Sequence, residues 1–308
     1  MQERMTALES NCKIELVNVT KRFGKVIAND SVNLTIEGGK VLCLLGENGS
    51  GKTTLMNVLS GIYMPEQGHI LKNGVEIQIR SPKDAFANGI GMIHQHFKLV
   101  DVLTAAENII LGLPGPLKLD MKKVTKEIRD LAEKYGFELD PERKIYEMSV
   151  SQKQTVEIVK MLYRGANVLI LDEPTAVLTP QETEKLFQVL RNMRDQGHSI
   201  LIITHKLNEV LSLSDRVAVL RKGESIGTVD TKDATERSLT EMMVGKKVEL
   251  DIERPDPVDP IMKLKLTNVN AVDHEGRPVL SNIEFEAFTG EILGIAGIAG
   301  SGQKELLE

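Results

Sequence analysis

The sequence contains no tryptophan and only two cysteines among its 308 residues. Cys12 and Cys43 lack the paired spacing of a metal site, and Cys43 lies inside the apolar run VLCLL, so a buried thiol is a better interpretation than a disulfide or a zinc ligand. No apolar run approaches the length of a membrane span. The first residues, MQERMTALES, lack the apolar core of a secretory signal. These absences favour a globular protein of a reducing cytoplasm.

An excess of basic residues is also absent. The chain has 38 Lys and Arg against 44 Asp and Glu, which gives a formal net charge of −6 and a pI near 5.7. This balance argues against a nucleic-acid partner, because nucleic-acid surfaces are basic. The length leaves room for one large domain and part of another.

An internal repeat organises the chain. The stretch VLCLLGENGSGKTTLMNVLSG at 41–61 matches EILGIAGIAGSGQKELLE at 291–308, and the alignment takes Gly51 onto Gly302. The intervening DIERPDPVDP is acidic and contains three prolines, which is typical of a stiff exposed linker. The repeat predicts a first domain over 1–246, a linker over 247–261 and the beginning of a second domain over 262–308.

The first copy holds a complete phosphate-binding loop of the form G-x-x-x-x-G-K-[ST], with an apolar strand at 41–45 before it and a helix at 52–59 after it. Glycines let successive N–H groups converge on a phosphate, and the helix N-terminus adds positive potential. Lys52 would reach the β- and γ-phosphates, and Thr53 would offer its hydroxyl to Mg²⁺. An ordinary glycine turn is the alternative. Such a loop alone fits kinases, GTPases, helicases and transport ATPases. The predicted nucleotide-binding residues are Gly46, Glu47, Asn48, Gly49, Ser50, Gly51, Lys52, Thr53 and Thr54.

The second copy of this loop is degenerate. Its glycines, Gly297 and Gly302, are correctly spaced, but Gln303 stands where the lysine belongs and Lys304 takes the Ser/Thr position. We interpret the second copy as a spoiled nucleotide site, and the end of the sequence at Glu308 as the truncation of a longer protein.

Residues suited to hydrolysis follow the first loop. NVLILDEPT ends an apolar strand with Asp172, a candidate Mg²⁺ ligand, and Glu173, a candidate general base. His205 follows the apolar strand SILIIT and is a candidate sensor of the γ-phosphate, and Gln95 in GIGMIHQHF is a candidate bridge to Mg²⁺ or the attacking water that reports occupancy to a partner. The alternative roles are structural: Asp172 and Glu173 would begin a turn, and His205 would cap the end of its strand.

The order of these motifs, together with MSVSQKQTVEIVK, resembles the ABC-transporter ATPase family. The family signature Leu-Ser-Gly-Gly-Gln falls on residues 148–152 of this sequence. The resemblance implies that Ser149 and its helix N-terminus contact ATP bound to the opposite domain, in trans. Val150 and Ser151 replace both glycines, and their β-carbons would hold the helix away from the phosphate. Ser149 and Gln152 also match a capping box, so a helix cap is a second role.

Two further positions bear on the resemblance. Thr179 stands where the family usually has an aspartate, and LTPQE is typical of a helix start with Pro180 at the first position and Glu182 at the third. The family usually stacks adenine on an aromatic residue, and Phe23 fits this role. The equivalent of Phe23 in the second copy falls near His274, where no aromatic residue is available.

The resemblance implies an α/β fold, a P-loop NTPase of the ABC nucleotide-binding type. It would consist of a RecA-like parallel core, an antiparallel β subdomain near 14–40 and 68–80, a helical subdomain near 98–165 and the β start of a second copy. The implied function is ATP- and Mg²⁺-dependent import through integral-membrane permease subunits, with an extracellular substrate-binding lipoprotein, at the cytoplasmic face of the membrane.

Several stretches resemble the tandem ATPases of monosaccharide and nucleoside importers, especially the nucleoside branch: HQHF, AENIILG, DEPTAVLTPQE and EMMVG. Pairing of two ATPase domains would place the altered signature opposite the lysine-less loop, so one composite site would be impaired. A soluble tandem ABC protein acting on ribosomes or DNA is the alternative. The short linker and the spoiled second site argue against the ribosome type, and the lack of zinc cysteines and coiled coils in the sequence argues against the DNA-repair type. A binding-only regulator is disfavoured by Glu173 and His205.

Overall fold

The computed structural model describes residues 12–94, 97–113, 120–246, 259–273, 276–297 and 301–307. The chain divides into two compact units, Met1–Val248 and Glu249–Glu308. Gln95 and residues 247–258 of the predicted linker lie outside the described residues. The predicted domain boundaries therefore stay a prediction.

The first unit alternates strands and helices along the chain. Its strands are β1 (Ile14–Phe23), β2 (Val26–Ile36), β3 (Val41–Leu45), β4 (Gln67–Lys72), β5 (Val75–Ile77), β6 (Ile90–Ile93), β7 (Val168–Asp172), β8 (Ser199–Ile203), β9 (Arg216–Arg221) and β10 (Glu224–Asp230). Its α-helices are α1 (Lys52–Leu59), α2 (Pro82–Ala87), α3 (Ala105–Ile110), α4 (Met121–Tyr135), α5 (Val150–Tyr163), α6 (Pro180–Asp195), α7 (Leu207–Leu213) and α8 (Glu236–Val244).

The central sheet of the first unit has the strand order β10-β9-β3-β8-β7-β6. Strand β3 pairs in parallel with β8 and β9, β7 pairs in parallel with β6 and β8, and β10 closes one edge antiparallel to β9. The runs VLCLL of β3 and SILII of β8 are buried along their whole length, as expected for strands covered on both faces. The predicted α/β fold with a parallel core is confirmed.

The second sheet of the first unit is antiparallel, in the order β2-β1-β4-β5. Ile14, Leu16, Val32 and Leu34 share one buried cluster with Leu42 of the central sheet, so the antiparallel sheet covers one side of the parallel core. Burial alternates along β1 and β2 because one face meets this core and the other meets solvent.

Helices α3, α4 and α5 lie in the stretch 98–165, where the sequence predicts a helical subdomain. The α4 residues Val124, Ile128, Ala132 and Tyr135 are buried along one face, which is the helical spacing of an amphipathic helix. Gly136 ends α4 in the left-handed conformation.

A buried polar contact links α4 to the central sheet. The Tyr135 hydroxyl lies 2.8 Å from His198 Nε2, just before β8. Burial, with a smaller effect of the Lys134 charge, lowers the pKa of His198 from 6.5 to about 4. The fold therefore holds the neutral imidazole.

We expect stability to fall at acid pH because of His198. Since the folded pKa lies below the unfolded value, this contribution is complete above pH 6.5 and is lost as the pH falls toward 4. Between pH 7.5 and pH 5 the native protein should lose about 2 kcal/mol more free energy of unfolding than His198→Gln. Urea titrations at both pH values measure the difference, and equal losses in the two proteins would contradict it.

The second unit contains two long strands, β11 (Met262–Val272) and β12 (Pro278–Phe288), and a short helix, α9 (Gln303–Leu307). The strands form an antiparallel pair. Residues 291–297, the run that aligns with β3 in the repeat, have no regular secondary structure. Their counterpart β3 lies between two partner strands, whereas 291–297 has no strand partner among the residues described in this unit.

The described part of the chain has no helix with the length and apolar character needed to cross a bilayer.

Candidate functional site

The loop from Gly46 to Gly51 joins the buried strand β3 to helix α1. Two of its glycines have no room for a side chain. A β-carbon at Gly46 would collide with the Leu220 carbonyl, and one at Gly51 would collide with the Ala28 carbonyl. Gly51 also has φ 97°, a left-handed conformation that favours glycine. The loop can therefore wind tightly enough to direct backbone N–H groups inward.

Lys52 folds back over this loop. Its buried ammonium donates to the carbonyl oxygens of Gly46 at 2.7 Å and Glu47 at 2.9 Å. Burial lowers the pKa of Lys52, and the charges of Glu173 and Asp172 oppose that effect. The carboxylates and the lysine thus lie close enough to interact.

The other loop residues differ in exposure. Glu47, Asn48, Gly49 and Thr53 are exposed, and Thr54 is half-buried. The buried Ser50 hydroxyl has no hydrogen-bond partner among the described residues.

The two candidate catalytic carboxylates lie where β7 ends. Asp172 is the last residue of β7, and Glu173 follows with φ 47°, a conformation that non-glycine residues seldom adopt. The Glu173 N–H donates to the Ile203 carbonyl at 2.9 Å, which joins it to the end of β8. Burial, followed by the charge of Glu173, raises the pKa of Asp172, and Lys52 partly opposes this.

His205 contacts the proposed base directly. Its Nδ1 lies 3.0 Å from Glu173 Oε1. The structure thus brings Lys52, Asp172, Glu173 and His205 together, although they come from separate parts of the sequence. Their catalytic and binding roles stay predictions.

Polar residues overlooked in the sequence hold the Glu173 loop. The Thr175 hydroxyl bonds to the Glu209 carboxylate at 2.7 Å, and the Gln154 amide donates to the Pro174 carbonyl at 2.9 Å. Lys206 donates to the Thr175 carbonyl at 3.1 Å. Gln154 lies just after the signature residues 148–152, and its agreement with the family pattern is the sequence signal that points to this support.

Ser149 lies at the exposed N-cap of α5. It forms the predicted capping box with Gln152, and its hydroxyl lies 2.9 Å from the Ser151 hydroxyl. Ser151 donates to Glu182 Oε1 at 2.6 Å. The predicted box at α6 is also present, with Thr179 as N-cap and Pro180 in the first turn. The hydrogen bonds of Ser149 stay within α5, so the described residues do not join it to Lys52.

Phe23 lies at the end of β1 with 45% of its surface exposed. Its ring meets Tyr63 edge-on, with ring centroids 5.2 Å apart, and Lys21 Nζ lies 5.4 Å from its centroid. The exposed area leaves room for a stacked base. Tyr63, which supports the ring, was overlooked in the sequence.

The oxygen donors of the site suit a small hard cation. Thr53 offers an exposed hydroxyl, and Asp172 offers a carboxylate whose pKa is raised by burial first and by the neighbouring Glu173 charge second. Mg²⁺ typically takes one or two protein oxygens and completes its shell with water and phosphate. The residues present therefore fit Mg²⁺. Gln95, the third predicted ligand, lies outside the described residues.

Comparison with known proteins points to one family. Residues 29–176 match the family model for ABC transporters. The nucleoside import ATP-binding protein NupA of Lactococcus lactis is 46% identical over 299 residues, covering 96% of this chain and 59% of that protein. The glucose import ATP-binding protein TsgD13 of Haloferax volcanii is 44% identical, with the same coverage of each chain. This chain thus spans about three-fifths of the length of these curated relatives.

Solved structures agree on the fold. The ADP conformation of MJ1267, an ATP-binding cassette of an ABC transporter, superposes with a TM-score of 0.68 at 24% identity, covering 76% of this chain and 99% of that one. The loop and carboxylates described above lie within or beside the matched region 29–176. The chain therefore contains an ATP-binding domain of the ABC transporter family.

Proposed function

We propose that this protein binds and hydrolyses ATP to power the import of a small solute through an ABC transporter. The observation that carries the proposal is the convergence of Lys52, Asp172, Glu173 and His205 at the ends of β3, β7 and β8. A buried lysine beside a glycine-rich loop suits phosphate binding, and a carboxylate aligned by a histidine suits activation of water.

Each residue has a defined part in the proposed reaction. The loop N–H groups and Lys52 bind the β- and γ-phosphates. Glu173 accepts a proton from water as the water oxygen bonds to the γ-phosphorus, and the bond to the bridging oxygen breaks with its electron pair retained by ADP. His205 orients the Glu173 carboxylate and contacts the γ-phosphate. Thr53 and Asp172 would hold Mg²⁺, which supplies charge neutralisation at the phosphates when bound.

The proposed partners follow from the relatives. We infer integral-membrane permease subunits, an extracellular substrate-binding lipoprotein and peripheral attachment at the cytoplasmic face of the membrane. We also propose that 262–308 begins a second cassette, because Gly290 and the loop to Gly302 repeat the first copy while Gln303 replaces its lysine. Pairing of the two cassettes would then leave one competent composite site.

A nucleoside is the proposed solute, supported by the 46% identity to NupA and by the nucleoside-type stretches of the sequence. A monosaccharide is the second candidate, because TsgD13 is 44% identical. Uptake of labelled nucleoside and glucose, by cells carrying the native protein or Lys52→Ala, decides between them. Only the true solute should show uptake that depends on Lys52.

Lys52→Ala and Phe23→Ala should each weaken ATP binding. Loss of the lysine removes the charge that contacts the phosphates, and loss of the ring removes base stacking worth about 1–3 kcal/mol. Calorimetry with Mg-ATP measures both. Lys185→Ala and Tyr146→Ala are matched controls, because both side chains are exposed and lie outside the proposed site. Unchanged affinity in both test variants would show that the pocket lies elsewhere.

A further inference from the structure

The last two peptide groups of the phosphate-binding loop are held from outside the loop. The Ser50 carbonyl accepts from the Gly223 N–H at 3.1 Å. The Gly51 carbonyl accepts from the Asn29 side-chain amide at 3.1 Å as well as from the Leu55 N–H of α1 at 2.9 Å. A trans peptide directs its N–H opposite to its carbonyl. Fixing these two carbonyls therefore fixes the directions of the Gly51 and Lys52 N–H groups.

These two external donors are themselves joined. Gly223 lies in the turn between β9 and β10, and its carbonyl accepts from the Asp30 N–H at 2.8 Å. A β-carbon at Gly223 would lie 3.0 Å from the Ala28 carbonyl oxygen. The segment 28–30 of β2 thus packs against both the loop and the β9–β10 turn. The back of the loop is enclosed by backbone, and Asn29 is the side chain that hydrogen-bonds to it there.

Asn29 carries a cost to the fold. It is fully buried, yet its Oδ1 has no hydrogen-bond partner among the described residues. A buried acceptor without a partner destabilises a protein, and a leucine of similar size would avoid that cost. What leucine cannot supply is the hydrogen bond to Gly51. Asparagine at this position therefore gains the hydrogen bond to Gly51 at the expense of stability.

We propose that Asn29 is a positioning residue that pre-organises the Gly51 and Lys52 N–H groups for phosphate, with the β9–β10 turn as a second support. The inference rests on the proposed function, since it concerns the same phosphate-binding loop. N–H groups already directed at the ligand need not be ordered when it binds, and affinity rises accordingly.

The test compares the native protein with Asn29→Leu and Asn29→Ala. Dissociation constants for Mg-ATP and for inorganic tripolyphosphate are measured by calorimetry, and melting temperatures are measured without ligand. Both variants should bind ATP and tripolyphosphate about three- to tenfold more weakly, because one neutral hydrogen bond is lost. Asn29→Leu should melt at the native temperature or above it. If Asn29 served packing alone, replacing it with leucine would not weaken ATP binding while the melting temperature stayed the same or rose.

Asn33→Leu is the matched control. It makes the same change on the same strand, and the Asn33 amide bonds to Asn18 and Ser31, away from the loop. Its ATP affinity should equal the native value. Native-like ATP affinity in both Asn29 variants would overturn the inference, and so would a loss of affinity and melting temperature together in Asn29→Leu. Lys52→Ala and Phe23→Ala separate the two proposals, because unchanged ATP binding in both would refute the proposed nucleotide site itself, whatever the Asn29 variants show.

Discussion

Replacing Glu173 with glutamine is expected to lower ATP turnover by about 10²–10⁴-fold, the range typical of a lost general base. Glutamine keeps the shape of the side chain and can still contact His205, but it cannot accept a proton from water. ATP binding should persist, because the loop and Lys52 are untouched. Loss of the negative charge beside Lys52 and Asp172 should not weaken the binding of the negatively charged ATP.

The measurement is phosphate release at saturating ATP, with ATP affinity determined separately. Glu184→Gln is the matched control, because Glu184 is an exposed carboxylate that pairs with Arg191. Its turnover should stay native. A Glu173→Gln protein that hydrolyses ATP at a near-native rate would remove Glu173 from the role of base.

The sequence was sufficient for features that depend on neighbouring residues. The strand at 41–45, the helix at 52–59 and the boxes at Ser149 and Thr179 all have the predicted bounds. Each depends on residues close together in the sequence. The strand needs an apolar run, the helix begins after a glycine-rich turn, and each capping box needs a hydroxyl three residues before a Gln or Glu. Local patterns of this kind need no knowledge of the rest of the fold.

The hydrogen bonds that hold the site in place could not be predicted from local patterns. Asn29 meets Gly51 across 22 positions, Ser151 meets Glu182 across 31, and Thr175 meets Glu209 across 34. Which side chains meet depends on how the strands stack, and periodicity does not encode that. The run 291–297, which aligns with strand β3, also lacks regular secondary structure for a tertiary reason. An apolar run becomes a central strand only where partner strands satisfy its backbone.

The hydrogen bond from Ser151 to Glu182 is one structural consequence of the altered signature. It fixes the N-terminus of α5 to that of α6, and Ser151 also contacts the Ser149 hydroxyl. The hydroxyl proposed to meet a γ-phosphate is thus engaged within its own helix. The Val150 side chain, 44% exposed, adds bulk at the same end. We therefore expect both side chains to obstruct the proposed phosphate contact.

This chain alone is expected to bind ATP and hydrolyse it slowly, and Val150→Gly combined with Ser151→Gly is expected to raise turnover by about 10²-fold. When two copies pair head to tail, each presents its altered signature to the ATP of the other. Electrostatic stabilisation by a preorganised donor is worth about 10²–10³ in rate, and glycines let the helix N–H groups approach the phosphate. Ser149 remains to cap the helix, because it accepts from the Gln152 N–H.

Phosphate release by the native chain, the double variant and the chain joined to a complete second cassette provides the test. Lys153→Gly is the control, since it weakens α5 by a similar loss of helix propensity while its side chain pairs with Asp101. Its turnover should not rise. The second cassette is chosen to carry the family signature Leu-Ser-Gly-Gly-Gln, so the joined protein should exceed the native chain in turnover. Turnover by the native chain equal to that of the joined protein would contradict the argument, since the altered signature would then be fully competent.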